Sequence, residues 1–197
     1  MESIYVSTPN ILRETSAGIF AFSIVDEMLD AREIELCGHV DAEVVNSLIR
    51  QLRYLQKQDA QAEVTLFINS PGGEVSSGLA LYDVMQAISC PIRTVCLGMA
   101  ASMGALLFMS GDTREMLPHS RLMIHDPLIQ GGISGSALSV KAAADNLMRT
   151  REITGQIIAK HTGKSLEEVL ATTASDTYFE AEEAVAFGLA DRVVTTL

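Results

Sequence analysis

The chain has 197 residues, 48% of them apolar and 20% charged, with 25 Asp and Glu against 14 Lys and Arg. Enough apolar surface to bury a core excludes a disordered segment, and a net charge of −11 excludes a basic footprint for nucleic acid or for an anionic membrane surface. Cys37, Cys90 and Cys96 form no CxxC pair and lie in or beside apolar runs, so buried, reduced thiols and a reducing, cytoplasmic setting are expected.

Met1-Glu2-Ser3-Ile4-Tyr5 lacks the basic start and apolar stretch of a signal peptide, and the longest mostly apolar stretch, Gly98 to Met109, is too short to span a bilayer. A soluble intracellular protein is expected. Residues 1–17 are polar and mixed, with Pro9 breaking any regular element, and read as an arm before a single domain over 18–197. Glu33 to Leu36 alternates as a strand, closed by Gly38-His39. Asp41 can cap a helix whose apolar face recurs at Val44, Val45, Leu48, Ile49, Leu52 and Leu55. Val64 to Ile68 is a β-rich run that ends at the expected turn Asn69-Ser70-Pro71-Gly72-Gly73. The spacing then predicts a helix from Leu79 to Ile88, a strand from Ile92 to Leu97 and a helix from Ala100 to Met109. Short strands follow near Met116-Leu117 and Leu122 to Ile124. After a loop at Gly131, Gly132 and Gly135 comes a long helix from Ser136 to about Lys160. Ser165 with Glu168 reads as a capping box, Ala181 to Phe187 as a last helix and Arg192 to Thr195 as a last strand. Strands alternating with helices predict an α/β fold with mainly parallel strands.

Chemistry concentrates at three places. In Gly98-Met99-Ala100-Ala101-Ser102-Met103-Gly104 a strand ends and an apolar helix begins beside Ser102, so the hydroxyl is aimed out of the turn near amides that no helix carbonyl reaches. By itself this signal is weak, since a serine at a helix start is usually just a cap. Two glycines in Asn69–Gly73 let backbone approach a ligand closely, although neither GxxxxGK[ST] nor GxGxxG is present. His125 stands at a strand end where core meets solvent, while His39, His119 and His161 read as surface residues. Asp126 is not expected to orient His125, because neighbours in a strand point to opposite faces. Asp176, before the aromatic pair Tyr178-Phe179, is a candidate acid.

In order, Ile68–Gly73 (INSPGG), Gly98–Gly104 (GMAASMG), Ser120–Pro127 (SRLMIHDP), His161–Val169 (HTGKSLEEV) and Asp176–Asp191 (DTYFEAEEAVAFGLAD) strongly resemble the ClpP family of ATP-dependent caseinolytic serine peptidases. The start of the chain, Pro9 to Thr15, is similar to the family's as well. The resemblance implies a crotonase-like α/β fold and two stacked seven-membered rings joined through a strand–helix handle, here about Leu128 to Lys160. It implies Ser102 as nucleophile, His125 as general base and Asp176 as the acid that orients the histidine. Gly73 and Met103 fall where backbone N–H groups form the oxyanion hole. Peptide substrate is expected as an added strand beside Gly72, Gly73, Glu74 and Val75 on one side and Leu128 and Ile129 on the other. The implied partners are copies of itself, an AAA+ unfoldase such as ClpX, ClpA or ClpC, unfolded polypeptides and, in mixed rings, a second ClpP paralogue. No metal or cofactor is implied in this chain, and ATP would be used by the partner.

The sequence departs from the family pattern in several places. Ala174 and Ser175 stand where an acidic–Arg pair is common, and Ser136 to Val140 lacks the usual handle residues. By the same resemblance, Thr65, Ala87 and Glu115 fall at positions of the family's apolar docking pocket for the ATPase loop; Phe67 keeps its expected character, and Gly111 to Met116 is shorter by about two residues. A smaller, partly charged pocket implies weak docking, so a regulatory subunit in a mixed ring is the second reading. A CoA-binding enzyme of the crotonase superfamily, which needs no Ser–His–Asp set, is the third.

Overall fold

A computed structural model describes residues 9–129 and 131–197. Most of the expected start of the arm, residues 1–8, lies outside them. In chain order the elements are β1 (Asn10–Thr15), β2 (Gly18–Ser23), α1 (Ile24–Asp30), β3 (Glu33–Val40), α2 (Ala42–Gln58), β4 (Val64–Gly73), α3 (Val75–Ala87), β5 (Ile92–Ala101) and α4 (Met103–Met109). They continue with β6 (Thr113–Met116), β7 (Arg121–Ile124), α5 (Ala137–Thr162), α6 (Leu166–Thr172), β8 (Thr177–Glu180), α7 (Ala181–Phe187) and β9 (Arg192–Val193).

The expected α/β fold with a mainly parallel sheet is formed. The main sheet runs β3-β4-β5-β6-β9, all parallel, while β7 lies parallel to β5 and antiparallel to β8. β5 serves two neighbours in succession: Arg93–Cys96 pairs with β6 and Met99–Ala101 with β7. Its last residues therefore run on beyond β6 toward β7.

The core follows from the pattern of apolar residues. In α2 the buried Val45, Leu48, Leu52 and Leu55 recur at alternating steps of three and four, one stripe of a helix. The Asp41 carboxylate accepts from Val44 N at 2.9 Å, as its position predicts. Burying each of these leucines stabilises the fold by about 1.5–3 kcal/mol. Leu66, Phe67 and Ile68 of β4 are buried in succession, as in a strand covered on both faces. Every residue of α4 is buried, so this short helix lies in the interior and carries the turn before it with little freedom.

Several local expectations are corrected. Asn69–Gly73 is not a turn: it continues β4, and His39 and Val40 of β3 pair with Gly72 and Gly73 across a bulge. The arm is not irregular where it is described, because β1 and β2 form a hairpin with Asn10 opposite Ser23 and Thr15 opposite Gly18. Asp126–Ile129 and Gly131–Gly135 form no strand. Among the described residues no strand pairs with them to complete a ladder, which an extended segment needs for its backbone groups. Ser165 caps α6 by accepting from Glu168 N, but the Glu168 carboxylate turns to Lys164 at 2.9 Å instead of closing the box. Cys37 is exposed, unlike the buried Cys90 and Cys96, because it lies on the uncovered side of β3. His161 is not a free surface residue: it bonds Tyr82 Oη at 3.2 Å, and burial lowers its pKa to about 4.

Candidate active site

β7 lies between β5 and β8, and this placement assembles the site. Ala101 is level with Met123 in the β5–β7 register, so Ser102 follows the end of β5 beside the end of β7. Ile124 is level with Thr177 in the antiparallel β7–β8 pair, so His125 and Asp176 sit at the next rung outward. Three residues 23 to 74 positions apart in sequence thus share one end of the sheet, where the parallel strands end and α/β folds place ligands.

Ser102 occupies an unusual conformation, φ 54 and ψ −122, one of two non-glycine residues with positive φ among those described. Such backbone costs about 1–3 kcal/mol and persists only where its surroundings impose it. Here the Ser102 N–H donates to Met123 O at 2.8 Å, while Ser102 O accepts from Ala105 N at 3.0 Å and Leu106 N at 3.2 Å. Its hydroxyl makes no cap bond to the helix, so the alternative reading of Ser102 as a side-chain cap fails. Oγ lies 2.8 Å from His125 Nε2 instead. The other ring nitrogen, Nδ1, is 3.4 Å from Asp176 Oδ1; the imidazole is 14% exposed and the carboxylate 62%.

The glycines are spatial necessities. A Cβ on Gly72 would stand 2.6 Å from Ala101 O and 2.7 Å from Ser102 Cβ; one on Gly73 would stand 2.2 Å from Val40 O. The end of β4 is therefore pressed between the serine turn and the end of β3. Ser70, which the sequence reading passed over, ties it there: its hydroxyl donates to Gly38 O at 2.6 Å and accepts from Gly72 N at 3.1 Å. Met103 is the first residue of α4, so its amide is among those that no helix carbonyl reaches.

A cleft of about 800 Å³ opens over Ser102 and His125. Gly72, Gly73, Glu74 and Val75 form one wall, and Pro127 and Leu128 with Asn146, Leu147 and Thr150 of α5 form the other. Ile129 does not line it and is 39% exposed; Met103 turns its side chain into the core. The α5 residues and Met123 were not singled out from the sequence, since a helix that is mostly exposed carries no signal of which turn faces a cleft. The Ser76 and Ser77 hydroxyls, both 2.7 Å from the Glu74 carboxylate, hold it below the usual carboxylate range, so an anionic group stands at the first wall.

An imidazole that meets a hydroxyl through one nitrogen and a carboxylate through the other can take the hydroxyl proton while the carboxylate steadies the resulting positive charge. Among the described residues no group of three or more His, Cys, Asp or Glu is placed to hold a metal ion, and no helix is long and apolar enough to cross a membrane. A family model described as Clp protease matches residues 16–197.

Proposed function

The chain belongs to the Clp protease family, and from that premise we propose that it is a serine endopeptidase subunit cutting unfolded polypeptides delivered by an AAA+ unfoldase. The observation that carries this reading is the continuous path from Ser102 Oγ through His125 to Asp176, at 2.8 and 3.4 Å. Ser102 Oγ attacks the scissile carbonyl as His125 Nε2 takes its proton. Asp176 holds the ring with its proton on Nδ1 and stabilises the imidazolium. The Gly73 and Met103 amides receive the oxyanion, each worth about 3–4 kcal/mol in the transition state. His125 then protonates the leaving amine, and a water molecule attacks the acyl-enzyme by the same route in reverse. The peptide runs extended between Gly72–Val75 and Leu128, and main-chain pairing gives it broad sequence tolerance.

Assembly into two stacked seven-membered rings is part of the proposal. Its support is the exposed apolar surface of the handle: Ile133 and Met148 are exposed, and Leu138 is 80% exposed on α5. Leaving such side chains in water forgoes about 25 cal/mol for each Å² that a neighbouring subunit could bury. The whole proposal is tested by labelling with a fluorophosphonate and by turnover of a fluorogenic peptide. Both are expected in the wild type and lost in Ser102→Ala; labelling that survives this substitution overturns it.

The second reading, a subunit that depends on a docking-competent paralogue, has its own observation. Glu115 is buried and held by Arg192 Nε at 2.9 Å, with Arg93 Nε 3.1 Å away but off the hydrogen-bond axis. It shares a sheet row with Phe67, Val95 and Arg192, where the family's apolar pocket is expected. A charged cluster there buries fewer CH₂ groups of an incoming apolar loop, each worth about 0.8 kcal/mol. Tight binding of an unfoldase by the pure homo-oligomer would exclude this reading.

A further inference from the structure

Asp176 is loosely held. Its carboxylate is 62% exposed, and His125 is its one partner among the described side chains. Ala174 and Ser175, which precede it, are exposed as well, so Asp176 is held between Thr177, which pairs with Ile124 and whose hydroxyl donates to Thr172 O at 2.7 Å, and the nearest anchored residue upstream. That residue is Thr173, the C-cap of α6, which is 3% exposed.

Thr173 is joined twice to Asp126. Thr173 Oγ1 donates to Asp126 Oδ1 at 2.7 Å, and Asp126 N donates to Thr173 O at 2.7 Å. The second carboxylate oxygen of Asp126 accepts from Arg151 Nε at 2.5 Å, and Arg151 Nη2 reaches on to Leu170 O at 2.9 Å. Asp126 directly follows His125, with its side chain turned away from it. One carboxylate therefore links the strand end that carries the imidazole, the middle of α5 and the end of α6. The Asp126–Arg151 pair is only partly exposed, with side chains 30% and 25% accessible, so it is less screened than a free surface pair.

We propose that Asp126, together with Arg151 and Thr173, is the positioning device that sets Asp176 against His125. The inference rests on the peptidase reading, because it assigns these residues a role only through Asp176. The path is short and stiff: Thr173 is fixed to the residue after His125, and only two residues separate it from Asp176. Anchoring both chain segments at Asp126 limits the drift of the carboxylate relative to the ring. Asp126 and its partners touch neither substrate nor the reacting atoms and are positioning residues.

The test is a double-mutant cycle read as the second-order rate of fluorophosphonate labelling and as kcat and KM on a short peptide. Asp126→Asn, which keeps the shape but loses the charge holding Arg151, is expected to lower both rates about 10- to 100-fold with KM little changed. Thr173→Val removes the hydroxyl at constant volume and should act alike, whereas Thr173→Ser restores the rate. In an Asp176→Ala background neither Asp126→Asn nor Thr173→Val should slow the enzyme further, because the group they position is gone. A rate that falls equally in both backgrounds, or that stays at the wild-type value in the single variants, overturns the inference. Thr173→Val carries the same cycle should Asp126→Asn fail to fold. Retained labelling in Ser102→Ala would instead remove the peptidase reading itself, so the two failures are distinguishable.

Discussion

Replacing Gly72 by alanine probes the joint between β4 and the serine turn. The added Cβ would lie 2.6 Å from Ala101 O, 2.7 Å from Ser102 Cβ and 3.0 Å from Met103 N, where ordinary contact begins near 3.4 Å. All three atoms belong to or branch directly from backbone, so no flexible side-chain end can swing aside. Gly72 also has φ +92, and an L side chain in left-handed backbone adds about 1–2 kcal/mol. Relieving the overlap adds about 1–3 kcal/mol, so a total loss of about 2–5 kcal/mol is expected. Because α4 is wholly buried behind the turn, Ser102 has to yield, and the 2.8 Å contact with His125 lengthens. Misplacement on the order of 1 Å lowers kcat about 100-fold. Gly163→Ala is the control: it has φ +72, but nothing lies within 4 Å of the new methyl. It should lower Tm by a few degrees at full kcat, since about 1–2 kcal/mol of backbone strain is its sole cost. Peptide turnover and thermal melts on both variants decide the matter. A Gly72→Ala enzyme with wild-type kcat would refute the reasoning, because β4 would then not be wedged against the nucleophile turn.

Two further predictions concern stability. His161 has its pKa lowered to about 4, chiefly by burial and then by Lys160 and Arg114, against 6.5 for the free side chain. The unfolded chain therefore binds the extra proton first, and stability falls as pH drops from about 6.5 to 4 and then levels off. With the ring only half-buried, the loss is discounted to about 1–2 kcal/mol. Urea titrations from pH 8 to 4 should show this slope shrinking in His161→Gln. Glu115→Ala should cost about 2–4 kcal/mol by removing the carboxylate shared by two guanidiniums, one of them partly buried. Arg192→Ala takes from the buried carboxylate its hydrogen-bonded donors and should cost a similar amount, so a loss under about 1 kcal/mol in urea unfolding would contradict the burial argument.

Local chemistry was legible in the chain. The stripe Val45, Leu48, Leu52 and Leu55, the Asp41 cap and the buried run at Leu66–Ile68 are all formed as the residue pattern predicts. These features are decided by residues within a turn or two of each other, where spacing alone selects the face that is buried. The weight placed on Gly72, Gly73 and Ser102 was legible too, because small residues at a strand end signal close backbone approach.

What the sequence by itself could not decide are the pairings between distant segments. Nothing near Ser102 states that β7 lies beside the second half of β5, or that Ile124 pairs with Thr177 and so puts His125 level with Asp176. Nor could periodicity foresee that Asn69–Gly73 remains in the sheet, that β1 and β2 form a hairpin, or that Asp126 reaches Arg151 and Thr173. The physical reason is that hydrogen-bond ladders and charge pairs between remote residues form only when the collapsed core holds their elements at fixed distances. Apolar pattern determined which faces turn inward; only the packed structure determined which inward faces meet.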